Sequence, residues 1–194
     1  MREQRPCVVY LHGFNSSPAS IKARLFVEYC NALQIESVVP ALSHDPALAM
    51  KTAMACVSQR SEPPALLIGS SLGGYYATWL AEKFKLKAAL VNPAVSPCDH
   101  LDAGFPGRHR NYYTGEEYDF TAHHVAALRL YDVRTLADPS RYLLLVQTGD
   151  EVLDYRQAVE RYGGCEQIIQ QGGNHGFENF AGVLPRIMQF AGLK

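Results

Sequence analysis

The chain has 194 residues, of which 47% are hydrophobic and 19% are charged, and its formal net charge is −1. This length and composition favour one globular domain with one core over residues 1–194. The sequence has neither the clustered Lys and Arg that nucleic-acid binding needs nor an apolar run near the roughly 20 residues of a membrane span. We therefore expect no nucleic-acid partner and no transmembrane segment.

Apolar segments alternate with segments of helical spacing along most of the chain. Buried strands are predicted at residues 7–11, 37–40, 65–69, 87–92, 142–147 and 167–169. Helices are predicted from 18 to about 33, from 46 to about 58, at 74–83, from 154 to about 162 and at 177–190. We expect Pro18 to lie in the first turn of its helix, with Ser17 as the cap. Strands that alternate with helices predict an α/β fold whose mostly parallel sheet is covered by helices on both faces.

A long excursion between two of the predicted strands breaks this alternation. Residues 94–140 contain several Pro and Gly and an aromatic, polar stretch at 111–118. So long a connection is usually functional, and it follows the carboxyl end of a strand, where ligands bind to open α/β sheets. We expect a cap-like insertion over the active site, with a purely structural insertion on the surface as the alternative.

The segment Gly69-Ser70-Ser71-Leu72-Gly73 lies between a predicted strand and a predicted helix. It fits the pattern G-x-S-x-G, in which a serine on a sharp strand-to-helix turn projects its hydroxyl above the sheet. The glycines are needed because a Cβ at either flanking position would collide with neighbouring atoms. The spacing selects Ser71, and not Ser70, as the candidate nucleophile.

A serine hydroxyl needs a base to accept its proton and an acid to orient that base. The predicted base is His175, in a glycine-rich segment between the last strand and the last helix. The predicted acid is Asp150, just after strand 142–147, because these partners follow in the order Ser, acid, His. Asp154 is the alternative acid but fits better as a helix cap, and Glu151 is expected to face solvent.

An acyl transfer also needs hydrogen-bond donors for the oxyanion of its tetrahedral intermediate. The backbone N–H of Leu72, directly after the nucleophile, is the first candidate. The second is the backbone N–H of Phe14, in the loop that follows the first strand. We expect His12 to have a structural role in holding that loop.

The cysteine and histidine patterns point to no metal and no cofactor. The five cysteines are odd in number and form no C-x-x-C motif, which predicts reduced, apolar fillers in a cytoplasmic protein. The N-terminus shows no apolar signal core. The adjacent pair His123 and His124 has no Asp, Glu or Cys close to it in sequence, so it is weak evidence for a metal site.

Several collinear segments resemble the YqiA-like bacterial esterases of the α/β-hydrolase superfamily. These segments are residues 10–18, 69–80, 91–95, 113–118, 147–158 and 172–175, so the resemblance spans nearly the whole chain. It implies a small α/β-hydrolase fold with a triad of Ser71, Asp150 and His175. It also implies activity on short acyl esters, with acyl-CoA thioesters as a further substrate class.

The sequence as a whole predicts a serine esterase that acts on a small-molecule acyl ester. The same triad also suits thioester hydrolysis or acyl transfer to an alcohol, because pocket shape and water access select the acceptor. The remaining alternative is a non-catalytic binding protein on a hydrolase fold. The oligomeric state is left open by the sequence.

Overall fold

Strands and helices alternate through the computed structural model, which describes residues 5–100 and 106–193. The strands are β1 (Cys7–Leu11), β2 (Glu36–Val38), β3 (Leu66–Ser70), β4 (Ala88–Val91), β5 (Gly107–Arg110), β6 (Glu117–Phe120), β7 (Tyr142–Gln147) and β8 (Glu166–Gln170). The helices are α1 (Ile21–Ala32), α2 (Pro46–Ser58), α3 (Leu72–Phe84), α4 (Pro97–His100), α5 (Ala122–Arg129), α6 (Tyr155–Arg161) and α7 (Phe180–Ala191). A 3-10 turn at Pro139–Arg141 precedes β7.

A six-stranded sheet in the order β2-β1-β3-β4-β7-β8 forms the centre of the protein. All of its strand pairs are parallel. Alternate residues of β1 face opposite sides, as a strand requires. Val8 and Tyr10 pack in the core under α1 and α7, whereas Val9 and Leu11 pack in the core under α2 and α3. The predicted parallel sheet with helices on both faces is therefore confirmed.

Two helices begin later than the sequence predicts. The first begins at Ile21 with Ser20 as its N-cap, because Ser17 instead forms a preceding turn. In that turn the Ser17 Oγ accepts a hydrogen bond from the Ala19 N–H at 3.0 Å. The last helix begins at Phe180 and not at 177, because Phe177 and Asn179 have φ angles of 61° and 56°, which a right-handed helix does not accommodate.

The excursion at 94–140 has secondary structure of its own. It contains α4, the antiparallel hairpin β5–β6 and α5. The hairpin is joined to the loop after β1: the Tyr112 N–H donates to the Asn15 carbonyl at 2.9 Å, and the Asn111 side chain donates to the Ser16 carbonyl at 2.9 Å. Helix α5 is joined to α3 by a hydrogen bond of 2.7 Å from the Tyr75 hydroxyl to the Leu128 carbonyl.

The cysteines fill apolar space, as the sequence predicts. All five are free, and Cys7, Cys30 and Cys98 are buried. Burial raises the pKa of Cys7 to about 11 and that of Cys30 to about 12, so both stay as neutral thiols. Among the described helices, none combines the length and the apolar character that crossing a membrane requires.

Candidate active site

Ser71 occupies the turn between β3 and α3 in a strained backbone conformation. Its φ and ψ angles are 55° and −123°, a region that residues with a Cβ rarely adopt. The turn is held by its own backbone, since the Ser71 N–H donates to the Val91 carbonyl at 3.1 Å. The Ser71 carbonyl accepts hydrogen bonds from the amides of Gly74 at 2.9 Å and Ala94 at 3.0 Å.

The two glycines of the turn are required by close backbone packing. A Cβ on Gly73 would overlap the carbonyl oxygen of Leu11, and a Cβ on Gly69 would overlap the carbonyl oxygen of Gly73. Backbone atoms cannot move aside as the end of a flexible side chain can. The glycines of the G-x-S-x-G pattern therefore let β1, β3 and α3 come together under the serine.

The three residues predicted to form a triad lie in mutual hydrogen-bond contact. The Nε2 atom of His175 lies 3.1 Å from the Oγ atom of Ser71. Its Nδ1 atom lies 2.8 Å from Oδ2 and 3.0 Å from Oδ1 of Asp150. The tautomer with its proton on Nδ1 satisfies both contacts, because Nδ1–H then donates to the carboxylate and Nε2 accepts from the hydroxyl.

The Asp150 carboxylate is held in its ionised form although its side chain is only 1% exposed. Burial raises its pKa, but hydrogen bonds outweigh that effect and the net pKa is lowered. The donors are His175 and the backbone amides of Val152 and Leu153, each amide at 2.9 Å from Oδ1. A buried anion beside the imidazole can orient the ring and stabilise its protonated form.

The other two carboxylates of this segment have different contacts. Asp154 is the N-cap of α6, as predicted, and its carboxylate also pairs with the Arg156 guanidinium at 2.8 Å. Glu151 is exposed, as predicted, but it also accepts a hydrogen bond of 2.9 Å from the backbone N–H of His175. The sequence carries no local signal for this contact, since the partners are 24 residues apart.

Two buried amide side chains that the sequence analysis missed hold the segment before His175. The Asn92 side chain donates to the Asn174 carbonyl at 3.0 Å and accepts from the Gln147 N–H at 3.0 Å. The Gln147 side-chain oxygen accepts from the amides of Asn174 at 3.1 Å and Glu178 at 2.8 Å. Gln147 is the last residue of β7 and Asn92 directly follows β4, so a polar side chain at the carboxyl end of an apolar strand was the signal available in the sequence.

The loop after β1 passes directly against Ser71, the candidate nucleophile. A Cβ built on Gly13 would lie 3.4 Å from the Ser71 Oγ. His12 is buried and holds this loop: its Nδ1–H donates to the Gly13 carbonyl at 3.0 Å, and its Nε2 accepts from the Leu42 N–H at 3.0 Å. Burial lowers its pKa, which favours the neutral ring that these contacts require. The structural role expected for His12 is borne out.

The aromatic ring of Phe14 anchors the same loop to the hairpin of the excursion. It packs edge-on against His109 and Phe120 at 5.3 Å between ring centroids, and against Tyr118 at 6.1 Å. The Tyr118 hydroxyl also donates to the side chain of Asn15. Leu72, the other candidate donor residue, is the first residue of α3, where backbone N–H groups have no intrahelical partner.

A cleft of about 530 Å³ opens beside Ser71 and His175. Its apolar wall comes from both ends of the chain: Tyr10, Phe14, Leu25, Phe177 and Phe180. Tyr112 and Tyr113, from the excursion, line the cleft as well, together with Lys22 of α1. The volume lies within the range of about 300–1,000 Å³ that is typical of small-molecule sites.

His124, one member of the histidine pair of the excursion, has a structural role at the start of α5. The His124 ring nitrogen Nδ1 accepts a hydrogen bond of 3.0 Å from the Thr121 N–H, which completes a capping box. Within residues 5–100 and 106–193, no group of three or more His, Cys, Asp and Glu side chains is placed to hold a metal ion.

The parallel sheet and the serine turn after its third strand define the α/β-hydrolase class of folds. Mouse alpha/beta hydrolase domain-containing protein 10 has this fold, with a TM-score of 0.77, 15% identity and coverage of 97% of this chain and 90% of that one. The esterase domain of a Rhodothermus marinus protein has a TM-score of 0.69 and 20% identity, with coverage of 98% of this chain and 88% of that one. The monoacylglycerol lipase of Paleococcus ferrophilus has a TM-score of 0.68 and 17% identity, with coverage of 98% of this chain and 96% of that one.

The chain belongs to UPF0227, described as an uncharacterised protein family, which it matches over residues 7–192. A relative from Serratia proteamaculans is 25% identical over 191 residues and covers 94% of this chain and 97% of its own. A relative from Vibrio vulnificus is 24% identical with the same coverage. The family resemblance and the fold predicted from the sequence are thus confirmed.

Proposed function

We propose that this protein is a serine esterase that hydrolyses short acyl esters of small molecules. The observation that carries the proposal is the unbroken hydrogen-bond chain from Ser71 through His175 to Asp150 beside an open cleft. A buried carboxylate, an imidazole in the matching tautomer and a strained serine are the parts that activate a hydroxyl as a nucleophile. The esterase and the lipase among the structural neighbours are named for the same kind of chemistry.

The first half of the reaction forms an acyl-enzyme. Ser71 Oγ attacks the ester carbonyl carbon while its proton passes to His175 Nε2. The oxyanion accepts hydrogen bonds from the amides of Leu72 and Phe14. When the intermediate collapses, the bond to the alcohol oxygen breaks, and that oxygen takes the proton back from Nε2. Asp150 stabilises the imidazolium throughout.

Water completes the reaction by the same route. His175 Nε2 removes a proton from water, the hydroxide adds to the acyl carbon, and the second oxyanion occupies the same two amides. Collapse returns the proton to Ser71 Oγ and releases the carboxylic acid, which gives up its own proton to water at neutral pH. The excursion at 94–140 acts in this proposal as part of the substrate site, because Tyr112 and Tyr113 line the cleft. We place the protein in the cytoplasm, since its free cysteines suit a reducing compartment.

The test combines turnover with labelling of the nucleophile. The purified protein is assayed with 4-nitrophenyl esters of increasing acyl length and with the corresponding acyl-CoA thioesters, and it is treated with a fluorophosphonate. We expect ester turnover and one labelled residue, Ser71, because only an activated serine reacts with the probe. Ser71→Ala should abolish both signals.

Ser70→Ala is the matched control, because Ser70 is the adjacent serine and also lines the cleft. This variant should keep its labelling and most of its turnover. A parent protein that is folded but neither turns over esters nor takes up the probe would refute the esterase proposal and favour a binding protein. Turnover of thioesters alone would move the proposal to a thioesterase that uses the same triad.

A further inference from the structure

Lys22 places a cation inside the cleft that contains the nucleophile. It lies in the first turn of α1 and lines the cleft together with Ser71 and His175. Among the described lining residues, it carries the only Lys or Arg charge. An ester that binds in this cleft therefore meets one basic side chain among the described lining residues.

The ammonium group of Lys22 has no acceptor of its own in the part of the chain that the structure describes. No hydrogen bond or ion pair engages it there, whereas other basic side chains, such as Arg141 and Arg156, are paired with carboxylates. Burial lowers the pKa of Lys22 to about 8, although Asp150 partly opposes this effect. Lys22 is half-buried, and no acceptor among the described residues offsets the partial desolvation of its ammonium group.

The position of Lys22 in its helix adds a second unfavourable interaction. The N-terminal turn of a helix carries a partial positive charge, which disfavours a cation. The other ionisable groups that line the cleft are His175, Glu178 and tyrosines. Glu178 is exposed and accepts a hydrogen bond of 3.0 Å from the Asn174 side chain. None of these contacts supplies Lys22 with the anion that it lacks.

We propose that Lys22 is a specificity-determining residue that binds an anionic oxygen group of the substrate, so that the preferred esters carry a carboxylate or a phosphate. This inference rests on the proposed esterase function and names the substrate class of the same site. The anion supplies the missing acceptor while the ester carbonyl lies at Ser71. A charge-assisted hydrogen bond of this kind typically changes affinity by about tenfold to a hundredfold.

The experiment compares esters that differ only in charge. Three anionic substrates are each assayed against their neutral methyl ester: 4-nitrophenyl hydrogen adipate, 4-acetoxybenzoate and 4-acetoxyphenyl phosphate. The first places the anion on the acyl side, and the other two place a carboxylate or a phosphate on the alcohol side. We expect at least one anionic member to have a kcat/KM about tenfold or more above its neutral partner at pH 7, mainly through KM.

Substitutions at Lys22 then assign the effect to its charge. Lys22→Met keeps the length of the side chain and should remove the preference for the anionic ester, so that the ratio of kcat/KM for the anionic ester to kcat/KM for its neutral partner falls to about one. Lys22→Arg should retain the preference for the anionic ester at pH 7 and also at pH 9. The parent protein should lose that preference at pH 9, because its lysine is then deprotonated. Lys51→Met removes an exposed lysine of α2 and controls for net charge, so it should change nothing.

In the kinetic assay, two results overturn the proposal. The first is a parent protein that prefers none of the anionic esters, and the second is an anionic preference that survives Lys22→Met. If the parent protein hydrolyses none of these esters, the proposed esterase function is wrong, but the role of Lys22 can still be tested by measuring ligand binding. Titration calorimetry with the Ser71→Ala protein should then show that monomethyl adipate binds more tightly than dimethyl adipate. Adding Lys22→Met to Ser71→Ala should abolish this difference in affinity. Equal binding of the two probes refutes the anion site.

Discussion

Replacing Ser71 with glycine should stabilise the protein relative to replacing it with alanine. Both changes remove the same hydroxyl and the same hydrogen bond to His175, so the comparison isolates the backbone at φ 55° and ψ −123°. Strain at such a position is worth about 1–3 kcal/mol, and glycine relieves it. Glycine also makes the unfolded chain more flexible, at a cost of about 0.5–1 kcal/mol. The expected difference in the free energy of unfolding is therefore about 1 kcal/mol in favour of glycine.

Thermal unfolding measured by calorimetry checks this difference. For a domain of this size, 1 kcal/mol corresponds to a shift of about 2–4 °C in Tm. The matched control is Ser70, which lies in β3 and does not have a positive φ angle. The Ser70→Gly variant should therefore be less stable than Ser70→Ala. If Ser71→Gly melts at or below Ser71→Ala while the Ser70 pair behaves as expected, the argument from backbone strain is wrong.

Three further predictions concern the charges around the site. Asp150→Asn should lower kcat by about 10⁴-fold, because the imidazole loses its orienting anion. Asp154→Asn should change kcat by no more than about twofold. If Asp154→Asn lowers kcat more than Asp150→Asn does, the assignment of the acid is reversed. His175→Ala should suppress labelling of Ser71 by a fluorophosphonate, because the hydroxyl would have no base, and labelling that persists would argue against a histidine base. Lys22→Met should raise the free energy of unfolding at pH 7 by about 1–3 kcal/mol, because the pKa of Lys22 falls from 10.5 to about 8 on folding.

The sign of the Lys22 effect with pH follows from the direction of its pKa shift. Below about pH 8 the lysine is charged in both the folded and the unfolded chain, so the folded protein carries the full cost of the buried charge. Between pH 8 and 10.5 the folded state releases its proton first, and stability rises with pH. The advantage of Lys22→Met, measured by urea unfolding, should therefore shrink toward pH 10. An advantage that is the same at pH 7 and pH 10 would contradict the reasoning.

The fold could be predicted because its signals are local. Short apolar runs such as 142–147 favour buried strands where they alternate with helical segments, and the serine turn is specified by glycines within two residues of Ser71. The order of the strands was not predicted, because it depends on which edges pair and the sequence has no local signal for that. Ser17 and Ser20 are equally good caps by residue type, and the packing of the turn between them places the helix start at Ile21.

Contacts over long sequence separations account for what the sequence analysis missed in the candidate site. The carboxylate of Glu151 and the amide side chain of Asn92 reach the segment of His175 across 24 and 82 residues. Lys22 is a further case, because a lysine on an amphipathic helix ordinarily indicates a solvated face. Its place in the cleft becomes visible only when α1 is packed beside the segment that carries His175. Residue type and spacing therefore locate the candidate reacting groups, but they do not locate the residues that hold or surround them.

The attachment of Phe14 to the hairpin β5–β6 limits how freely the excursion can be exchanged. A lid that only covers a pocket can be swapped between proteins to change which substrates enter, while the reaction rate at the serine stays the same. Here the hairpin contacts the loop that supplies the proposed second oxyanion donor. It packs against the Phe14 ring and donates hydrogen bonds to the carbonyls of Asn15 and Ser16. If the proposed esterase function holds, we expect a chimera that carries the excursion of another family member to alter catalytic rate and substrate choice together, so that this insertion does not allow the two properties to be engineered separately.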